Sequence, residues 1–126
     1  MRYRASTGQL ILVGKGNLQN DTLTIKTARG KDVWFHVQDA PGSHTVVMSE
    51  GQDVPIEALN EAAHIAVYHS SLKGGAKVPV DYTPVRNVKK PAGAKPGMVI
   101  YEHYETAYIT LDEALVQKLA ENDELA

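Results

Sequence analysis

The sequence predicts an α+β domain in which helices cover a largely antiparallel sheet, and three features predict it. Several short stretches alternate apolar and polar residues with the period of a strand, "DVWFHVQD" most clearly. "DVPIEALNEAAHIAVYHSSLKGG" and the stretch from Leu111 to Glu121 space their apolar residues by three and four, as helices do. The succession reads β-β-α-β-β-α-β-β-β-α, without the repeated parallel units or the G-x-G-x-x-G turn of a dinucleotide fold. At 126 residues, 43% hydrophobic and 22% charged, the chain reads as one globular domain, 1–126, able to bury a core.

The elements follow in order. "RYRASTGQLILVG" supplies two short strands that meet at Thr7-Gly8, where glycine permits the turn. "NLQNDTLTIKTAR" fits two structures: Leu23 and Ile25 alternate as in a strand, whereas Asn17 suits the cap of a helix running towards Ala28. In "DVWFHVQD", Val33, Phe35 and Val37 point to a core face. Asp32, Trp34, His36 and Gln38 point to the other, a polar face carrying the only tryptophan. Pro41-Gly42 turns the chain into a further strand, "TVVM". The longest helix takes Pro55 in its first turn and Glu57 at its positive end, and Gly74-Gly75 stop it. Ile56, Leu59, Ala63, Ala66 and Val67 form its packing side; Glu57, Asn60, Glu61 and His64 form its polar side, with His69 nearer the apolar one. "KVPVDYTPV", "GMVIYEHY" and "TAYI" read as three more strands. Thr110 and Glu113 make a capping box for a last helix, 111–121, with Leu111, Leu115 and Leu119 on one stripe.

Composition removes several kinds of function. No apolar run approaches the ~20 residues of a membrane span, and the N-terminus has no signal-peptide stretch. The absence of cysteine excludes disulfides, thiolate nucleophiles and thiolate metal sites, and fits a cytoplasmic protein. No cofactor or metal site is expected: His64 and His69 lie about 140° apart around a helix, and His36 and His44 have no evident third ligand. Ser43, His44 and either Asp32 or Asp39 would be needed for a hydrolytic triad, but "PGSH" is not the G-x-S-x-G elbow. An RNA-processing or RNA-modifying enzyme built on Asp32, His36, Ser43 and His44 therefore stands as the alternative to a binding role.

Charge points to that binding role. The net charge is −2, yet between Leu72 and Gly97 six cations face one acid, Asp81. From Leu111 onward five acids face only Lys118, so the last helix could instead dock on a protein partner. Irregular RNA is held by cations on phosphates and by flat side chains on exposed bases. Trp34 and Tyr82 are candidate stacking surfaces; Arg29, Lys31, Lys73, Lys77, Arg86, Lys89, Lys90 and Lys95 are candidate phosphate contacts. Glycines in "LKGGAK" and "KKPAGAKPG" let backbone N–H groups approach an anion, and "PGSH" adds the Ser43 hydroxyl.

"YRASTGQLILVGKGNLQND", "KDVWFHVQDAPGSHTVV" and "KVPVDYTPVRNVKKPAGAKPGMVIY", in this order, resemble the NFACT-R domain from about Tyr3 to Tyr108. That module forms the C-terminal part of the NFACT ribosome-quality-control factors, whose bacterial members were once labelled fibronectin-binding. The family is regarded as RNA-binding, so the resemblance implies contacts to tRNA or rRNA, with the ribosome or quality-control factors as further partners. The motif residues carried over by position are Asp32, Trp34, His36, Pro41, Gly42, Ser43 and His44, then Asp81, Tyr82, Thr83, Arg86, Lys89, Lys90, Pro91, Gly93, Lys95 and Gly97. Among them Asp32, Trp34, His36, Ser43, His44, Tyr82, Arg86, Lys89, Lys90 and Lys95 are the candidate RNA contacts. It also makes "NLQNDTLTIKTA" a short helix. Full-length members add an N-terminal domain, a helix–hairpin–helix segment and a coiled coil, so the chain is expected to be a stand-alone form without tail-elongating activity.

Overall fold

The computed structural model describes all 126 residues. Its strands are β1 (Arg2–Arg4), β2 (Leu10–Val13), β3 (Val33–Val37), β4 (Thr45–Val47), β5 (Val78–Pro84), β6 (Val88–Lys89), β7 (Ile100–Tyr101) and β8 (Glu105–Ile109). Six of them form one sheet, in the order β1-β2-β4-β3-β5-β8, and every neighbouring pair is antiparallel. Between β5 and β8 the chain makes an excursion, with a 3-10 turn (Val85–Asn87) and the two-residue hairpin of β6 on β7. The helices are α1 (Asn17–Asp21), α2 (Ile56–Tyr68) and α3 (Glu113–Leu125); α1 runs on into a π-helical segment, Thr22–Thr27. The helix implied by the resemblance is therefore present, and the alternation of Leu23 and Ile25 is not that of a strand.

Strand alternation divides the side chains of β3 between two layers. Val33, Phe35 and Val37 join Ile11, Val13, Val47, Val78 and Val80 in a core that α2 and α3 cover. Trp34 and His36 point the other way, beside Thr83 and Asp81 of β5. That second face is not open: the segment 17–28 and the excursion from 85 onward close over it. Leu23, Ala28, Trp34, Val46, Val85 and Val88 form a separate buried cluster there.

Several expectations are corrected by the packing. α2 ends at Tyr68 rather than at Gly74-Gly75, because Ser70 leaves the helix to bridge Gly42 in the turn before β4. Ile56 is 77% exposed, whereas Glu61, expected on the polar side, is buried and accepts the Ser6 N–H at 2.9 Å. The cap of α3 is Asp112, which accepts from the Leu115 N–H; Thr110 Oγ1 accepts the Lys77 N–H instead. Of "GMVIYEHY" only Ile100 and Tyr101 are paired as strand, because they bond back to β6 and not into the sheet. His69 is a packing residue as expected, its Nε2 lying 2.6 Å from the Tyr3 hydroxyl. Val116 and Leu119 of α3 are 3% and 1% exposed, so this helix is structural before it can be a docking element.

Candidate nucleic-acid interface

The basic loop is an ordered strap. Lys90 Nζ donates to the carbonyls of Lys95 (2.6 Å) and Met98 (3.2 Å) and pairs with Asp21 of α1 at 3.2 Å. Asp21 also accepts the Gly97 N–H at 2.9 Å. Burial alone would raise the Asp21 carboxyl, but Gly97 and Lys90 outweigh it and hold it below the ordinary carboxylate range. Gly97 itself requires glycine: its φ is +84°, and a Cβ there would lie 2.8 Å from Asn17 Oδ1. Proline, glycine and one lysine thus shape the strap, and only the remaining cations face outward.

Those cations converge with a second segment. The Val85 N–H donates to the Asp32 carbonyl at 2.7 Å, drawing the start of the excursion against the turn that carries Arg29 and Lys31. Asp32 is 4% exposed and holds this turn: Oδ1 accepts the Ser49 N–H (2.7 Å) and hydroxyl (2.8 Å), and Oδ2 accepts the Arg29 N–H (3.0 Å). Between the two segments lies a depression of about 470 Å³ with Ala28, Val85 and Val88 in its floor and Arg29, Arg86, Lys89 and Lys90 around it. Arg29, Arg86, Lys89 and Lys95 are exposed and none is paired with a carboxylate. Lys31, nearby, pairs with Asp53 at 3.0 Å.

The remaining candidates do not join this patch. Lys77 precedes β5 and Arg86 follows it, so the seven-residue strand separates them by roughly 20 Å. Lys73 is engaged with Glu113 at 3.0 Å and sits 4.0 Å over the Tyr68 ring. Trp34 is 1% exposed and presents no face to solvent, because Tyr101 packs on it with centroids 4.7 Å apart. Tyr82 is half-buried on the opposite face of the sheet, stacked on Phe35 at 5.4 Å. The rings that do reach solvent are ones that strand patterning does not single out, Tyr104 at 47% and Tyr108 at 68% exposed.

Asp32, His36, Ser43 and His44 do not form one cluster. Asp32 is four residues from His36 along β3, about 14 Å, and its oxygens are occupied as described. Ser43 is tied by its N–H to the His69 carbonyl at 3.0 Å, and Gly42 packs on Ser70, so "PGSH" fastens the turn to α2. His36 and His44 do meet, with ring centroids 5.7 Å apart. His44 is buried between Thr24 Oγ1 at its Nδ1 (2.7 Å) and the Gly97 carbonyl at its Nε2 (3.2 Å). That arrangement suits a neutral ring that donates to the carbonyl and accepts from the hydroxyl. Burial first, then the neighbouring His36, holds its imidazole down at about 4. Asp81, buried, accepts from Gln38 (2.9 Å), Tyr101 (2.6 Å) and Thr106 (2.7 Å), and anchors the far end of the strap. Tyr101 is legible in the sequence only as a strand residue; its role as that anchor depends on the excursion folding back.

Residues 1–103 match the family model described as "NFACT protein RNA binding domain". The chain is similar to Rqc2 homolog RqcH of Bacillus subtilis, 48% identical over 93% of this chain and 20% of that protein. It is also similar to the coiled-coil domain-containing protein 25 homolog of Dictyostelium discoideum, 35% identical over 72% of this chain and 46% of that protein. Among solved structures, the C-terminal part of the fibronectin/fibrinogen-binding protein of Streptococcus suis superposes with a TM-score of 0.89. It is 40% identical, and the match covers 94% of this chain and 48% of that one. The chain thus spans about a fifth of the RqcH relative it matches. With the family model covering most of its length and the fold shared, the chain belongs to the NFACT RNA-binding domain family.

Proposed function

We propose that this chain is a non-catalytic module that binds tRNA or rRNA through phosphate contacts and shape, in the service of ribosome-associated quality control. The observation that carries the reading is the convergence of Arg29, Arg86 and Lys89 on one depression without carboxylates to neutralise them, with Lys95 unpaired on the adjoining strap. Phosphates would bind there by charge, and the ordered strap lowers the entropy lost on binding. The relatives named Rqc2 homolog supply the context of quality control. A binding role rather than catalysis is supported by the occupation of the Asp32 carboxylate and the Ser43 backbone in holding turns.

The test is binding of bulk tRNA across a salt series. Removing one cation from a phosphate lowers the log–log salt slope by roughly 0.7 to 0.9. Arg86→Ala/Lys89→Ala/Lys95→Ala, folded as the native chain, is expected to bind more weakly with a slope shallower by about two to three. Lys73→Ala/Lys77→Ala, at the other end of β5, is expected to keep the native slope. Equal slopes for the native chain and the first variant would refute the assignment.

A further inference from the structure

Arg86 borders two hollows, the basic depression and a second one of about 420 Å³ on the side of the sheet that α2 covers. Val54, Leu59 and Tyr82 are the apolar side chains that open into this second hollow. Each packs against the larger core and each stays partly exposed. They come from the loop before α2, from α2 itself and from β5, so the apolar floor exists only once the chain has folded. Lys31, Asp53, Arg86 and Glu105, all exposed, stand around it. An accessible apolar floor with a few polar groups at its edge is the usual build of a ligand site.

The charges at the edge decide what fits. Lys31 is held by Asp53 at 3.0 Å, which leaves Arg86 and Glu105 without a salt-bridge partner. A lone phosphate has no use for the apolar floor and is repelled by Glu105. A nucleobase in a strand matches every part: apolar faces for the floor, an N–H that a carboxylate accepts, and an adjoining phosphate for Arg86. A peptide side chain would also fill the floor, but the unneutralised cations next door favour a polyanion. We infer that the hollow receives one unstacked nucleobase of the bound RNA, laid against Val54, Leu59 and Tyr82, while the phosphate beside it sits on Arg86. The inference rests on the RNA-binding reading of the basic patch. It gives Arg86 a place on both faces: the strand follows the basic depression on one, and one base turns round the end of β5 on to the other.

Full-length chain labelled at valine and leucine methyls and at tyrosine rings reports the hollow through Val54, Leu59 and Tyr82. Bulk tRNA, the four ribonucleoside monophosphates and base-free ribose phosphate are titrated against it in parallel with affinity measurements. The tRNA and the nucleotides are expected to move these resonances and ribose phosphate to leave them in place. Tyr82→Leu, which removes the ring, is expected to weaken tRNA binding about fivefold or more, the scale of one base on an aromatic side chain, with the salt slope unchanged. Val54→Gln, which puts a longer, polar, uncharged side chain at a partly exposed position, is expected to do the same and decides the matter where Tyr82→Leu unsettles the stack on Phe35. If tRNA binds with the patch-dependent slope while the resonances stay put and both variants bind as the native chain, the base site is overturned, the hollow is left to a protein partner, and the phosphate reading stands. If ribose phosphate moves the resonances as far as the nucleotides do, the hollow is an anion site and the inference falls. If the nucleotides move them and tRNA does not, it serves a free nucleotide and the inference falls too. If native chain binds no tRNA, both readings fall.

Discussion

Replacing Lys90 separates a lysine that builds the strap from lysines that use it. Lys90→Met keeps the apolar stem and removes the ammonium, which donates to two carbonyls and pairs with Asp21. Hydrogen bonds to a charged group contribute about 1.5–3 kcal/mol when sheltered. The Lys90 side chain is a quarter exposed, so water recovers part of that and the surface ion pair adds little. The net loss should be about 1–2 kcal/mol, localised to the strap. Since ~1.4 kcal/mol is a factor of ten, amide exchange at Gly97 and Met98 should accelerate on the order of tenfold. Both N–H groups close the strap, onto Asp21 and onto the Lys95 carbonyl. Lys89→Met, at an exposed side chain without a hydrogen bond, should leave those amides unchanged while weakening tRNA binding. Native exchange in Lys90→Met, or equal acceleration in Lys89→Met, would refute the division of roles.

Two further outcomes follow from buried groups. The folded His44 titrates near 4 against 6.5 unfolded, so its contribution to stability is complete above about pH 6.5 and is lost as pH falls towards 4. The difference corresponds to about 3 kcal/mol; urea denaturation from pH 7 to 4 should show this loss, and a His44→Gln variant should show a flatter profile. Leu119→Ala in α3 should cost about 2–4 kcal/mol in denaturant unfolding, because Leu119 is 1% exposed in the larger core. A loss of less than about half a kcal/mol there would return α3 to the status of an accessory element.

Local rules were enough for most of the fold. The alternation of Val33, Phe35 and Val37 against Trp34 and His36 fixed the two faces correctly, and the turn residues at Thr7-Gly8 and Pro41-Gly42 placed the strands. What local rules could not show was that the second face is covered. A strand with a mixed face of tryptophan, histidine and glutamine reads as solvated until a distant segment is known to fold over it. Here that segment begins 51 residues later, where Val85 bonds the Asp32 carbonyl. The candidacy of Trp34 as a surface for base stacking fails for that reason. The same bond assembles the basic patch from candidates that residue type alone could not group. Arg86, Lys89 and Lys90 are close in sequence, but Arg29 joins them only through the fold. Lys73 and Lys77 looked equivalent by composition, yet the length of β5 removes them. Glu61, expected on the polar side of α2, is buried because the loop after β1 brings the Ser6 N–H to its carboxylate, which a helical period cannot report.

Photo-cross-linking of bulk tRNA to the chain, followed by identification of the modified peptides, tests the central claim most directly. Cross-links concentrated on residues 24–31 and 85–101 would agree with RNA lying along the basic depression and the strap. Cross-links concentrated on α2 or α3, with the strap unmodified, would contradict it.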